Sequence, residues 1–176
     1  MTWQARLIIA NPHLFLANLA GREYAPGFPV VGDGWQHIVE TAVGRVLTAA
    51  QNFPVRIVQV KSKYGTIRIY WQSSATLPDA VSDCIEEAIA LAEARSACTC
   101  ETCGEEGYLY AANDWLTTAC PDHGRGKLVK VKQGWENLHI VRKFSAGSPS
   151  TIACRRYIRE TDTFVDVSPS SLGIEE

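Results

Sequence analysis

Apolar residues recur at helical spacing in two long stretches of this chain. In the first, Trp35, Ile38, Val39, Ala42, Val43, Val46 and Leu47 form one stripe and Gln36, His37, Glu40, Thr41 and Arg45 the opposite face, which predicts an amphipathic helix. Gly32-Asp33-Gly34-Trp35 opens it, with Asp33 placed to accept from first-turn amides and Gln36 in the capping-box position, and Phe53-Pro54 ends it. In the second, Val81, Cys84, Ile85, Ala88, Leu91 and Ala92 predict a helix over 77–97 whose wet face carries Asp83, Glu86, Glu87, Ala90 and Glu93. Its many alanines imply close packing, across a hairpin that precedes it.

That hairpin is read from alternation. Residues 55–61 and 66–72 are β-rich runs around Ser62-Lys63-Tyr64-Gly65. A two-residue turn at Lys63-Tyr64 would set Val60 opposite Ile67, Val58 opposite Ile69 and Arg56 opposite Trp71, giving one apolar face. A three-residue loop with Gly65 in the left-handed position would instead pair Lys61 with Ile67. The first register is expected, because burying each large apolar side chain is worth about 1.5–3 kcal/mol. Elsewhere, Asn11-Pro12 predicts the start of a short helix over 12–20, the Gly- and Pro-rich segment 21–32 an irregular connection, and 104–119 a loop. Strands are predicted at 128–132, 138–142, 154–158 and 163–167, and a frayed polar tail at 168–176.

The chemistry lies between the second helix and the later strands. Cys100-Glu101-Thr102-Cys103-Gly104 is answered by Cys120-Pro121-Asp122-His123, and paired C-x2-C and C-x2-H spacings let two tight turns aim thiolates and an imidazole at one tetrahedral ion. Cys100, Cys103, Cys120 and His123 are therefore the candidate zinc ligands. Cys98 offers a C-x4-C alternative to Cys100, but the shorter gap followed by Gly104 fits a knuckle better. Four protein ligands leave no position for water or substrate, so the zinc is expected to be structural and no catalytic residue is assigned.

Composition narrows the rest. Among 176 residues the formal net charge is −2, which gives no bulk attraction to nucleic acid. Charge is nevertheless segregated. Residues 79–106 carry a local balance of −7, residues 52–78 of +4, and residues 124–143 of +5 from Arg125, Lys127, Lys130, Lys132, Arg142 and Lys143 against Glu136. Cysteines at metal spacing fit reduced thiols, and the first residues make a poor signal peptide, so a cytoplasmic protein with no membrane association is expected. The expected architecture is α+β, with a helix, β-hairpin, helix core in residues 1–124, the zinc knuckle inserted at 98–123, and a small β-rich segment at 125–167.

Three features in this order, Gly32-Asp33-Gly34-Trp35, the hairpin from Val60 to Tyr70 and the Cys-x-x-Cys-Gly knuckle closed by Cys-x-x-His, resemble a family of small zinc-knuckle proteins common in bacteriophage genomes and prophages. The resemblance spans roughly residues 25–125. It implies a phage or prophage origin and a host-cytoplasm setting, and transfers no activity. The expected function is a non-enzymatic protein that docks on a host or phage protein, for example to inhibit a bacterial defence system, with Lys61, Lys63, Tyr64, Arg68, Tyr70 and Trp115 as candidate partner-binding residues. A nucleic-acid binder using the same basic and aromatic residues is the alternative. A nuclease or nucleotide hydrolase is third, since His13, His37 and His139 show no grouping in sequence.

Overall fold

Residues 1–143 and 151–174 are described by a computed structural model of the chain, which has an α+β fold. They fall into two units, Met1–Leu128 and Val129–Glu176, each considered by itself. In the first, helix α1 (Trp3–Ala10) is capped by Thr2, whose hydroxyl accepts from the Ala5 amide, and it buries Trp3, Leu7 and Ile8. Helix α2 (Pro12–Phe15) does begin at Pro12 but lasts a single turn. Asn11 does not cap it; its side-chain amide donates to the Leu7 carbonyl and closes α1. Strands β1 (Ala17–Leu19) and β2 (Arg22–Tyr24) pair antiparallel, and β3 (Pro29–Val30) lies parallel to the strand that follows α3. The segment expected to be irregular thus contains two short strands.

A tight 3-10 turn at Asp33–Trp35 leads into α3 (Gln36–Ala50), which buries Ile38, Val39, Ala42, Val43, Val46 and Ala50. The expected cap does not form. Asp33 Oδ1 accepts from the Trp3 indole at 2.8 Å, and the Gln36 amide donates to Glu40. Strands β4 (Val55–Lys63) and β5 (Thr66–Ser73) make the predicted hairpin in a register that neither expectation described. The turn residues are Tyr64 and Gly65, both at positive φ as a primed two-residue turn requires, so Lys63 faces Thr66 and Val60 faces Ile69. A bulge between Ile57 and Gln59 takes up Val58, and the extra residue lets Ile57 and Val60 both reach the core beside Ile67 and Ile69.

Helix α4 (Asp79–Ser96) buries Ile85, Ala88 and Ala92, and packs on α3 and β5. Cys84, expected inside, is exposed because the contact stripe runs through Ile85 with Val81 and Ile89 at its margins. Beyond it, the expected loop is a hairpin of β6 (Tyr108–Ala112) and β7 (Trp115–Ala119), with β8 (Lys127–Leu128), the remnant of the predicted strand at 128–132, on the far side of β6. The second unit is an antiparallel sheet of β9 (Leu138–Lys143), β10 (Thr151–Ile158) and β11 (Thr163–Val167), with β10 central and Tyr157 buried and donating to Asp162. Within the tail expected to fray, Pro169–Leu172 forms a 3-10 turn; residues 175–176 and the side chains of Arg142 and Lys143 lie outside the described residues. No described helix is long and apolar enough to cross a membrane.

Candidate metal centre

The two pairs of candidate ligands arise from the same local device. After α4 the chain turns so that the Gly104 amide donates to the Cys100 carbonyl at 2.9 Å, and after β7 the Gly124 amide donates to the Cys120 carbonyl at 2.8 Å. Gly104 closes the first turn at a φ of 83°, a conformation that a side chain would strain. The two turns bring the Sγ atoms of Cys100, Cys103 and Cys120 and a ring nitrogen of His123 within 4.8 Å of one another. Cys103 and Cys120 Sγ are 3.7 Å apart, and His123 Nδ1 is 3.6 Å from Cys100 Sγ and 3.2 Å from Cys120 Sγ. A tetrahedral ion with metal–sulfur bonds of about 2.3 Å would set its sulfurs about 3.8 Å apart, so the group could hold a metal ion. Cys98 is elsewhere: its buried thiol donates to the α4 carbonyl of Arg95 at 3.3 Å.

Electrostatics within the cluster favour a cation. Burial opposes ionisation of Cys100, but the Cys120, Cys103 and Thr102 amides and the Cys103 thiol outweigh it and lower the group to about 6. At Cys103 the Glu105 amide favours the thiolate, yet desolvation and the Cys100 and Cys120 sulfurs prevail and raise it to about 11. One thiolate thus suppresses the next, a repulsion that a bound divalent ion removes.

The first knuckle rests on Gly32-Asp33-Gly34-Trp35, and this is the role of that motif. The Gly34 amide donates to the Glu101 carbonyl at 2.9 Å, the Trp35 indole donates to the Thr99 carbonyl at 2.7 Å, and Glu101 itself spans two elements, accepting from the Gly32 amide and the Ser62 hydroxyl. A Cβ on Gly34 would lie 2.5 Å from the Gly104 nitrogen and 2.7 Å from the Cys103 nitrogen, and against the Cys100 carbonyl oxygen. Only glycine admits the knuckle so closely. No protein-family model, curated protein or solved structure matches this chain.

The hairpin turn meets the centre from another side. Gly65 is buried, and its carbonyl accepts from the Thr118 hydroxyl of β7 at 2.6 Å, while Ser96 at the end of α4 accepts from the Ile67 amide. Three elements of the first unit therefore converge on the strands and turns that carry the ligands. Trp35→Phe is expected to destabilise the protein by about 2–3 kcal/mol in urea titrations, since the Thr99 carbonyl would lose its donor inside a packed core. A loss below about 0.5 kcal/mol would mean the indole bond contributes nothing net.

Of the candidate partner residues, five share the hairpin. Lys61 Nζ lies 5.3 Å from the centre of the Tyr70 ring and Lys63 Nζ 5.0 Å from that of Tyr64, whereas Arg68 is drawn into an ion pair with Glu93 of α4. Tyr64 is 66% exposed. Trp115 is not with them: 72% exposed, it stands over a cleft of about 570 Å³ that also takes in Glu101, Thr117, His123 and Arg125, beside the metal centre. Sequence reasoning missed Glu101 and Thr118. Each is an ordinary polar residue whose role depends on partners far away along the chain.

Proposed function

We propose that the Cys100, Cys103, Cys120 and His123 group holds one structural zinc ion, and that the protein is a non-enzymatic docking module acting on another protein. The observation that carries this reading is the closed set of four donors. Thiolate and imidazole suit zinc, the spacings fit a tetrahedron, and a fully protein-ligated ion has no position left for substrate. Chemistry being confined to the ion's shell, the outward-facing features are aromatic: Trp115 on its cleft and Tyr64 on the hairpin, the residue type that supplies most anchors in protein interfaces. The motif order resembling phage proteins supports a partner among host or phage proteins in a bacterial cytoplasm, with inhibition of a defence system as the fitting role.

The alternative, nucleic-acid binding, draws on a different observation, the two lysines set over tyrosine rings on the hairpin. Against it, Arg68 is already neutralised by Glu93 and the whole chain carries a net charge of −2. Two measurements separate the readings. Immobilised protein should retain one stoichiometric protein from bacterial lysate, insensitive to nuclease and lost on Trp115→Ala or Tyr64→Ala. In fluorescence anisotropy, mixed-sequence DNA and RNA should show no binding at physiological salt. Micromolar binding that weakens with salt by a log–log slope of about −0.7 to −0.9 per phosphate, and disappears when Lys61 and Lys63 become Glu, would replace the protein-docking reading with the nucleic-acid one.

A further inference from the structure

Away from the metal centre, a second cleft of about 570 Å³ opens where β4 begins and β5 ends. Its polar lining comes from separate parts of the first unit: His13 on α2, Gln51 and Asn52 after α3, Arg56 on β4, and Gln72, Ser73 and Ser74 at and just beyond the end of β5. The lining holds a guanidinium, an imidazole, three amides and two hydroxyls, and no carboxylate. A neutral or cationic ligand would find no countercharge there; an anion finds donors on several sides.

Arg56 is the decisive residue. It pairs across the hairpin with Gln72, and its Nε is buried with no hydrogen-bond partner among the described residues. Nε itself is sealed off from a ligand, and the outer guanidinium nitrogens, which form no hydrogen bond or ion pair among the described residues, are the donors that would meet an oxyanion in the cleft. Gln51 marks where α3 gives way to the cleft. It ends α3 at a φ of 49°, a backbone conformation uncommon for a residue with a side chain, and such conformations persist where the surroundings hold them. One feature works in the other direction: the carbonyl end of α3 faces this region with roughly half a negative charge. The full charge of the guanidinium exceeds it, and an arginine binds a planar or tetrahedral oxyanion through two donors at once.

We propose that this cleft binds a phosphate group, free or as a monoester, with Arg56 as its principal ligand and His13, Asn52 and Ser74 as further donors. The test is an amide NMR titration of the full-length chain with inorganic phosphate and, separately, with adenosine 5′-monophosphate, at ionic strength held constant with sodium chloride. Saturable shifts at Asn52, Ser73 and Ser74 are expected with both. At least about tenfold tighter binding of the nucleotide would identify a monoester site, and equal affinity a site for the free anion. Arg56→Gln should weaken binding at least about tenfold. Should that variant lose its folded spectrum, the double variant His13→Ala with Ser74→Ala, altering two surface groups, serves in its place and should also weaken binding. Shifts absent from these amides, shifts centred instead on Lys61 and Lys63, or shifts unchanged in the variants would overturn the proposal.

Discussion

Stripping the metal with a chelator, or replacing Cys120 by Ser, is expected to unfold the region between the knuckles and lower the melting temperature by at least about 10 °C. The size follows from two magnitudes. Structural zinc in small domains contributes apparent free energies of about 10–16 kcal/mol, comparable with the about 5–15 kcal/mol that separates most folded domains from their unfolded chains. Here the ion would join the turn after α4 to the turn after β7, which are otherwise linked by the backbone bond from the Glu101 amide to the Thr118 carbonyl and by the Cys120 amide against the Cys100 sulfur. Chelation leaves three sulfurs and an imidazole crowded within 4.8 Å with no cation among them. Cys84→Ser, on an exposed position of α4, is the control and should change neither metal content nor stability. Elemental analysis of protein purified without chelator should give about one zinc per chain. A content near zero, or a melting temperature indifferent to chelation, would remove the structural-zinc reading.

Gly34→Ala should be nearly as damaging although it adds one methyl group far from any ligand in sequence. The added carbon meets the backbone of Cys100, Cys103 and Gly104, and backbone cannot swing aside as a side-chain tip can. The knuckle must lift off, and with it go the bonds from the Gly34 amide to Glu101 and from the Trp35 indole to Thr99. At about 1–3 kcal/mol for each buried group left unpaired, a loss of about 3 kcal/mol or more is expected in urea unfolding, together with weaker metal retention. Gly44→Ala provides the opposite result in the same assay. Gly44 lies within α3 and a Cβ there meets nothing within 4 Å, so alanine should stabilise by about 0.5–1 kcal/mol. If the two alanine variants behave alike, the close seat of the knuckle on Gly34 is refuted.

The parts of this architecture that local rules govern were legible in the sequence. The α3 stripe and the C-terminal hairpin follow from periodicity, and the close grouping of Cys100, Cys103, Cys120 and His123 from spacing, because a knuckle's geometry is set by its own few residues. What failed has long-range causes. Gly32-Asp33-Gly34-Trp35 has the form of a helix start, and nothing nearby reveals that its glycines face a turn at Cys100–Gly104. The hairpin offered Val55, Ile57, Val58 and Val60 as competing inward positions, and only the bulge at Val58 decides among them. Tyr64-Gly65 is an unusual pair for a primed turn, since Tyr64 must take a φ of 55°. The β6–β7 hairpin carried a readable signal in Asn113-Asp114 between Tyr-Leu-Tyr-Ala-Ala and Trp-Leu-Thr-Thr-Ala, which the nearby cysteines overshadowed. The phosphate cleft draws on three separated segments and has no linear signature at all.

The buried turn at Gly65 has a practical consequence for anyone labelling this molecule. Tips of β-hairpins are the customary place to splice in an epitope or a fluorescent domain, because they usually project into solvent. This one is anchored: the Gly65 carbonyl holds the Thr118 hydroxyl, and the space beside its Cα is filled by Leu109 and Thr118. An insertion there would pry the hairpin from β7 and disturb the cysteine that follows it. The exposed turn between β1 and β2 at Gly21, where an added carbon meets nothing within 4 Å, is a better site for such a graft.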